Sequence, residues 1–279
     1  MTDTQQDIHI GFIGGGNMAR SLAGGLIADG LPASAISIAE PDAARRESLA
    51  ERFGVRVTSD NDDVARASDV IVLAVKPQVL AEVASALAPS LEGRAPLVVS
   101  IAAGVRSADV ARWLGGGLPV VRAMPNTPAL LGCGATALFA AKTVSDSHRE
   151  QAERILRAAG AVTWVEDEAL MDPVTALSGS GPAYFFLLME SMADAGAALG
   201  LSRDQSRLLV LETALGAARM AMESDEDIPA LRRGVTSPGG TTEAALQTLE
   251  AGGFRELVRQ AVEAATDRSR ELARQLGGD

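Results

Sequence analysis

Between residues 8 and 165 eight short apolar, β-branched runs alternate with amphipathic helical stretches, and after Val165 no such run recurs. The runs lie at 8–13, 36–39, 55–57, 70–74, 97–101, 120–123, 135–139 and 162–165. Regular strand–helix alternation needs a crossover helix between parallel neighbours, so it predicts an α/β, mainly parallel, doubly wound sheet with helices on both faces. Ligands of such a sheet lie beyond the carboxyl ends of its strands. The loops to watch are therefore Ala74-Val75-Lys76-Pro77-Gln78, Ala102-Ala103-Gly104 and Met124-Pro125-Asn126-Thr127-Pro128. Beyond the last run, residues 167–177, 183–199, 203–223, 242–250 and 254–276 read as helices bounded by Gly, Ser, Pro and Asp. Two domains are expected: 1–166 carrying the sheet and 167–279 all helical.

The first run, His9-Ile10-Gly11-Phe12-Ile13, leads into Gly14-Gly15-Gly16-Asn17-Met18-Ala19 and then a helical pattern through Leu22, Leu26 and Ile27. This is G-x-G-x-x-A in a strand–turn–helix context. Gly14 makes the tight turn, Gly16 lets the backbone approach a pyrophosphate, and Ala19 lets the helix pack close to the strand. At this position the pattern predicts a dinucleotide site, against the plainer alternative of a structural turn.

Residues 235–242, Val-Thr-Ser-Pro-Gly-Gly-Thr-Thr, break the helical half. Pro238 cannot donate a hydrogen bond, Gly239 and Gly240 leave their N–H groups bare, and Thr241 or Thr242 is placed to cap the following helix. Such a helix start suits a small carboxylate, although a simple inter-helix turn would use the same residues. The stretches from Tyr184 to Glu190 and from Leu208 to Met222 are apolar almost all round. About 110 residues cannot enclose two such helices, so a partner subunit is expected.

Composition excludes several classes of function. With 25 basic against 36 acidic residues the formal net charge is −11, which opposes nucleic acid or an anionic membrane as the main partner. Cys133 is the sole cysteine, leaving no intrachain disulfide and no cysteine cluster for a metal. No helical stretch suits a membrane, since 183–199 is short and carries Glu190 and Asp194. The polar, acidic segment 1–7 lacks the basic and apolar regions of a signal peptide, so a cytoplasmic location is expected.

With these motifs in hand, the chain resembles the pyrroline-5-carboxylate reductases. The resemblance is carried by Gly14 to Met18, by Ala74-Val75-Lys76-Pro77, by Arg122-Ala123-Met124-Pro125-Asn126-Thr127-Pro128-Ala129, by Ala176-Leu177-Ser178-Gly179-Ser180-Gly181-Pro182-Ala183-Tyr184, and above all by Val235 to Thr242. It implies an N-terminal Rossmann-type domain, an all-α dimerisation domain interlocked with that of a second subunit, and a homo-oligomer as large as a decamer. It also implies hydride transfer from NADPH or NADH to the C=N bond of 1-pyrroline-5-carboxylate, the last step of proline biosynthesis. By similarity Gly14, Gly15, Gly16, Asn17 and Met18 meet the pyrophosphate, Asn61 the adenosine side, and Ala74, Lys76 and Pro77 the middle of the cofactor. Ala103, Gly104 and Asn126 fall near the nicotinamide ribose. Ser237, Gly239, Gly240, Thr241 and Thr242 match the substrate loop, with Thr175 nearby.

One departure bears on the cofactor. The second strand ends Ala39-Glu40-Pro41, and Glu40 lies 21 residues beyond Ala19, where a carboxylate accepts hydrogen bonds from a ribose 2′-OH and repels a 2′-phosphate. Arg45 and Arg46 follow within a helical turn, either to pair with that phosphate or to serve as solvated helix charges.

Histidine occurs only at 9 and 148 and lysine only at 76 and 142, so the helical half contains neither. A Schiff-base lysine or a histidine-centred triad cannot come from it. His9 and His148 are expected at the surface, and Lys76 supports the cofactor electrostatically. An imine tolerates this shortage: with its ring nitrogen already protonated, the carbon needs only orientation, a held carboxylate and dryness. Thr242 is the first choice for the ring nitrogen, Ser237 the alternative, and Tyr184 a further donor or a buried interface residue. The competing readings are another reductase of imines or 2-keto acids on the same fold, and a catalytically silent dinucleotide-binding protein.

Overall fold

The computed structural model describes residues 8–277 of the chain. Segment 1–7, read above as lacking a signal sequence, lies outside the described residues. All eight expected strands are present: β1 Ile10–Ile13, β2 Ile36–Ala39, β3 Arg56–Thr58, β4 Val70–Leu73, β5 Leu97–Ser100, β6 Val120–Met124, β7 Gly134–Ala140 and β8 Gly160–Trp164. They form one sheet in the order β3-β2-β1-β4-β5-β6-β7-β8. Every pair is parallel except β6 with β7, the one neighbouring pair joined without a long crossover helix.

Six helices serve this sheet: α1 Asn17–Ala28, α2 Ala43–Phe53, α3 Asn61–Ala67, α4 Pro77–Leu87, α5 Ser107–Trp113 and α6 Asp146–Arg157. The strands are apolar on both sides because both faces are covered. Ile10, Phe12, Ile36, Ile38, Val70, Val72, Leu97, Val99 and Val121 enter one core with Leu22 and Leu26 of α1, Leu49 of α2 and Ile155 of α6. The alternate residues Ile13, Ala39, Ile71, Leu73, Val98 and Val120 enter the other with Val64 of α3, Leu80 and Ala84 of α4 and Val110 of α5. The period of two thus fixes the register.

After β8 the chain is helical, with α7 Met171–Val174, a wide π turn at Thr175–Gly179, α8 Gly181–Ala198, α9 Arg203–Glu223, α10 Ile228–Gly234, α11 Thr241–Ala251 and α12 Phe254–Gly277. Helix α10 falls where the sequence pattern predicts none. Packing divides the described residues into two compact units, 8–180 with 264–277, and 181–263. The 166/167 line marks where strands end; the units divide elsewhere because the segment after β8 and the end of α12 pack with the sheet. Ser269 Oγ donates to Asp172 Oδ1 at 2.7 Å and Arg112 Nη2 to the Gly277 carbonyl at 2.7 Å.

Candidate active site

Strand order reverses between β1 and β4, which opens a crevice at their carboxyl ends. Gly14 turns there with φ of +100°, and a Cβ on it would lie 2.7 Å from the Ala74 carbonyl oxygen. Only glycine meets both demands. Gly16 is different. A Cβ there would meet nothing within 4 Å, so the space above its Cα is open for a ligand. Gly16 is also the N-cap of α1 without a side-chain cap, and the N–H groups of Asn17, Met18 and Ala19 have no acceptor among the described residues. A helix start of this kind, beside an open approach, fits a pyrophosphate.

The adjoining cleft, about 410 Å³, is lined by Gly15, Gly16, Asn17, Arg20, Ala44, Arg45 and Ser48. Glu40 is not among them. Its carboxylate is buried, with Oε2 accepting from Gly15 N at 2.9 Å and Oε1 from Asp42 N at 3.1 Å. Glu40 thus ties the end of β2 to the glycine loop instead of presenting both oxygens outward. Arg46 is committed too, its Nη1 donating to the carbonyls of Glu40 and Pro41 at 2.7 Å each. Arg45 stays exposed, 4.0 Å from Glu40 Oε1. Asn61 begins α3, whose first turn is capped by Asp60 accepting from Asp62 N. Lys76 is the N-cap residue of α4 without a side-chain cap bond, and Pro77 begins that helix.

At the ends of β5 and β6, Gly104 has φ of +71° and is backed by Leu272 of α12. Asn126 is used by the protein itself: Oδ1 accepts from Ala135 N at 2.9 Å, and Nδ2 donates to the Ser178 carbonyl at 3.3 Å. Its amide therefore clips the β6–β7 connection to the π turn that carries Thr175, whose hydroxyl donates to the Met171 carbonyl at 2.8 Å. Π turns of this kind recur at functional sites.

A second polar group here was not anticipated. Arg122 is 3% exposed, and its Nη1 lies 3.5 Å from Glu168 Oε1. Burial lowers the guanidinium pKa, while Glu168 and then Asp172 oppose that shift. The Glu168 carboxylate also accepts from Ser107 N at 2.6 Å and Ser107 Oγ at 3.0 Å, which caps α5 where Arg106 offers no side-chain cap. The available signal was a charge inside the apolar run Val120-Val121-Arg122-Ala123; its partner, 46 residues on, left none.

The second unit carries the loop at 235–242. Gly240 N donates to the Ser237 carbonyl at 3.0 Å, with Pro238 second and Gly239, φ +69°, third in the turn. That is type II turn chemistry. Two expectations are corrected. Neither threonine caps α11, because Gly240 itself occupies the N-cap position without a side-chain bond. Nor are the glycine N–H groups bare: Gly240 N is taken by the turn, and Gly239 N donates to Glu243 Oε2 at 2.7 Å. The donors of this loop and helix start without an acceptor among the described residues are the N–H groups of Ser237, Thr241, Thr242 and Glu243, joined by the hydroxyls of Ser237, Thr241 and Thr242.

The histidines lie at the other end of the sheet. His9 precedes β1, with Nε2 2.8 Å from Ser37 Oγ, and burial lowers its pKa against the raising effect of Asp69. His148 lines a cleft with Asp69, Arg94 and Leu97 at the amino ends of β4 and β5. The Tyr184 hydroxyl is buried without a partner among the described residues. Those residues hold no cluster of three or more His, Cys, Asp or Glu suited to a metal, and no helix among them is long and apolar enough to cross a membrane.

Comparison with known proteins supplies the family. A family model described as pyrroline-5-carboxylate reductase dimerisation matches residues 168–272, and one described as NADP oxidoreductase, coenzyme F420-dependent, matches residues 9–104. A pyrroline-5-carboxylate reductase of Pseudomonas aeruginosa is 54% identical over 268 residues, covering 96% of this chain and 98% of its own. The structure of a pyrroline-5-carboxylate reductase from Coxiella burnetii matches with a TM-score of 0.92 at 45% identity, covering 96% of this chain and 99% of that one. A Plasmodium falciparum pyrroline carboxylate reductase with NADP bound matches with a TM-score of 0.84 at 33% identity, covering 95% and 98%.

Proposed function

The chain belongs to the pyrroline-5-carboxylate reductase family, and from that premise we propose how its own residues divide the work. It is an NAD(P)H-dependent oxidoreductase that reduces the C=N bond of 1-pyrroline-5-carboxylate to give L-proline. The cofactor supplies the hydride. The open Gly16 position and the unpaired N–H groups of Asn17, Met18 and Ala19 hold its pyrophosphate, while Gly14 and Gly15 shape the turn. Asn61, Ala74, Lys76 and Pro77 border the crevice, and Ala103 and Gly104 receive the nicotinamide ribose. Asn126 acts by positioning, since its amide is bonded within the protein.

The 2′-phosphate of NADPH suits the cleft lined by Arg20, Arg45 and Ser48, where two guanidinium groups and a hydroxyl stand together while the Glu40 oxygens point to Gly15 N and Asp42 N. The ring carboxylate of the substrate goes to the Thr241 and Thr242 N–H groups with the Ser237 hydroxyl. Thr242 Oγ1 is the partner of the ring nitrogen, and Thr175 borders the ring. Gly239 and Gly240 contribute turn geometry rather than donors. The nitrogen enters protonated, so hydride addition yields a neutral amine that takes its next proton from water. This sequence needs no lysine or histidine, and residues 167–279 have none.

The observation that carries the reading is the set of unpaired donors on the Ser237-to-Thr242 loop, which a protein that only sensed a dinucleotide would not require. The dimerisation match implies a homo-oligomer; we infer interlocked dimers, a decameric ring as their further assembly, and a cytoplasmic location. The test is oxidation of NADPH and of NADH followed with 1-pyrroline-5-carboxylate, its six-membered homologue and a 2-keto acid. We expect the five-membered imine to be preferred and NADPH to be used. Equal turnover of the keto acid would refute the assignment.

A further inference from the structure

Glu243 deepens the loop reading just given and rests on it. In α11 the N-cap is Gly240, so Glu243 stands at the third helical position, where a carboxylate reaches back over the helix start. Reciprocal capping would have it accept from the N-cap residue. Here that N–H is already spent in the turn, and Glu243 Oε2 takes the preceding one, Gly239 N, at 2.7 Å.

Three consequences follow from this bond. Gly239 has φ of +69°, a conformation stabilised here by a partner for its N–H group. The bond consumes the donor that would otherwise compete with Thr241 and Thr242 for an anion. It also spans the turn from its third residue to the first turn of α11, joining the side bearing Ser237 to the side bearing Thr241 and Thr242. The Glu243 side chain is half-buried, while Gly239 is exposed. We propose that Glu243 is a positioning residue for the substrate: by accepting from Gly239 N it holds the loop in the shape that presents the Thr241 and Thr242 N–H groups to the ring carboxylate. It acts through the loop and touches neither the reacting carbon nor the cofactor.

The opposite role, an internal carboxylate that competes with the substrate, gives the reverse sign and is therefore testable. Steady-state kinetics with 1-pyrroline-5-carboxylate would be measured for the full-length protein, Glu243→Ala, Glu243→Gln and Thr242→Val, with NADPH affinity by fluorescence titration. We expect Glu243→Ala to raise KM for the imine about tenfold with kcat within about threefold, a loss of order one net hydrogen bond to a charged group. Glu243→Gln keeps an acceptor at the same reach and should restore KM to within about twofold. NADPH affinity should be unchanged in both. A lower KM in Glu243→Ala would establish competition instead, an unchanged KM would make the bond idle, and a glutamine variant as impaired as the alanine would assign the effect to charge; each overturns the proposal. The threonine variant separates the two levels: full activity in Thr242→Val overturns the loop reading itself, whereas a loss there with none in Glu243→Ala overturns only the role of Glu243.

Discussion

At the scale of single residues, Gly14 and Gly16 do opposite things with the same missing side chain. Gly14 is packed against Ala74 and bound to its φ; Gly16 faces open space. Gly16→Val should therefore leave the far-ultraviolet circular dichroism unchanged and remove NADPH binding, because the valine fills the approach without disturbing the sheet. Retained affinity in a folded variant would take the pyrophosphate away from this turn. Glu40 makes the sharper case. As a mere repellent of the 2′-phosphate, Glu40→Ser would improve NADPH at the expense of NADH. As a latch it leaves the buried Gly15 N–H without its acceptor, a penalty of about 1–3 kcal/mol, so both cofactors should weaken together. Arg45→Ala, in contrast, should weaken NADPH alone. Specificity constants for the two cofactors across the two variants distinguish the roles. His9 carries a pH signature. Its folded pKa lies below the ordinary 6.5, so its contribution to stability is complete above that value and is lost as pH falls through the folded value. His9→Gln should show a shallower fall in urea midpoint below about pH 6.5 than the native chain; identical slopes would place the titration elsewhere.

Among the elements, strands were legible because two-residue periodicity and glycine punctuation survive in sequence, whereas α10 was not. Ile228–Gly234 has seven residues and a proline near its start, too short to display a helical period. The carboxylate at the end of β2 was visible by spacing, but its inward direction depends on Gly15, 25 residues earlier, and no local pattern encodes that. The substrate loop shows the same division. Ser-Pro-Gly-Gly announced the turn, while the choice of Glu243 as partner for Gly239 N is a side-chain matter that appears only in three dimensions. Glu168 is the element-scale equivalent, capping α5 from a segment 61 residues away while pairing with Arg122. Removing it uncovers a guanidinium whose side chain is only 4% exposed. Glu168→Ala should then cost about 3 kcal/mol, the usual result of stranding a buried charge. Arg122→Met combined with Glu168→Ala removes the stranded charge and should recover most of that loss, leaving about 1 kcal/mol for the missing cap. Urea unfolding of the single and double variants decides it: a double variant less stable than Glu168→Ala alone would show that Arg122 contributes by packing and not as the partner of Glu168.

For the molecule as a whole, the question is what covers the second unit. Helices α8 and α9 pack on each other, with Ser206 meeting the small Gly196 closely, yet both leave large apolar side chains in the open. Phe186 is 64% exposed, Leu208 60% and Met222 84%, and Phe185, Leu187, Leu188, Leu209, Leu211 and Leu215 are exposed as well. A monomer rarely shows a contiguous apolar surface of more than a few hundred square ångströms, so we infer that these exposed side chains form the interface between copies of the chain, where a twofold axis lets the same patch serve on both subunits. Stability is then inseparable from association. Sedimentation of the native chain at micromolar concentration should reveal dimers or larger assemblies and no stable monomer, and the thermal midpoint should rise with protein concentration. Leu188→Asp or Leu211→Asp places a carboxylate where a partner surface must close without water, at a cost of several kcal/mol for an unpaired buried charge. These variants should lose association and leave the helical unit aggregated or unfolded, while an isolated sheet unit keeps its glycine loop. A well-folded, soluble monomer of the native chain would mean that the apolar faces are tolerated in water, and the interlocked dimer inferred from them would have to be abandoned.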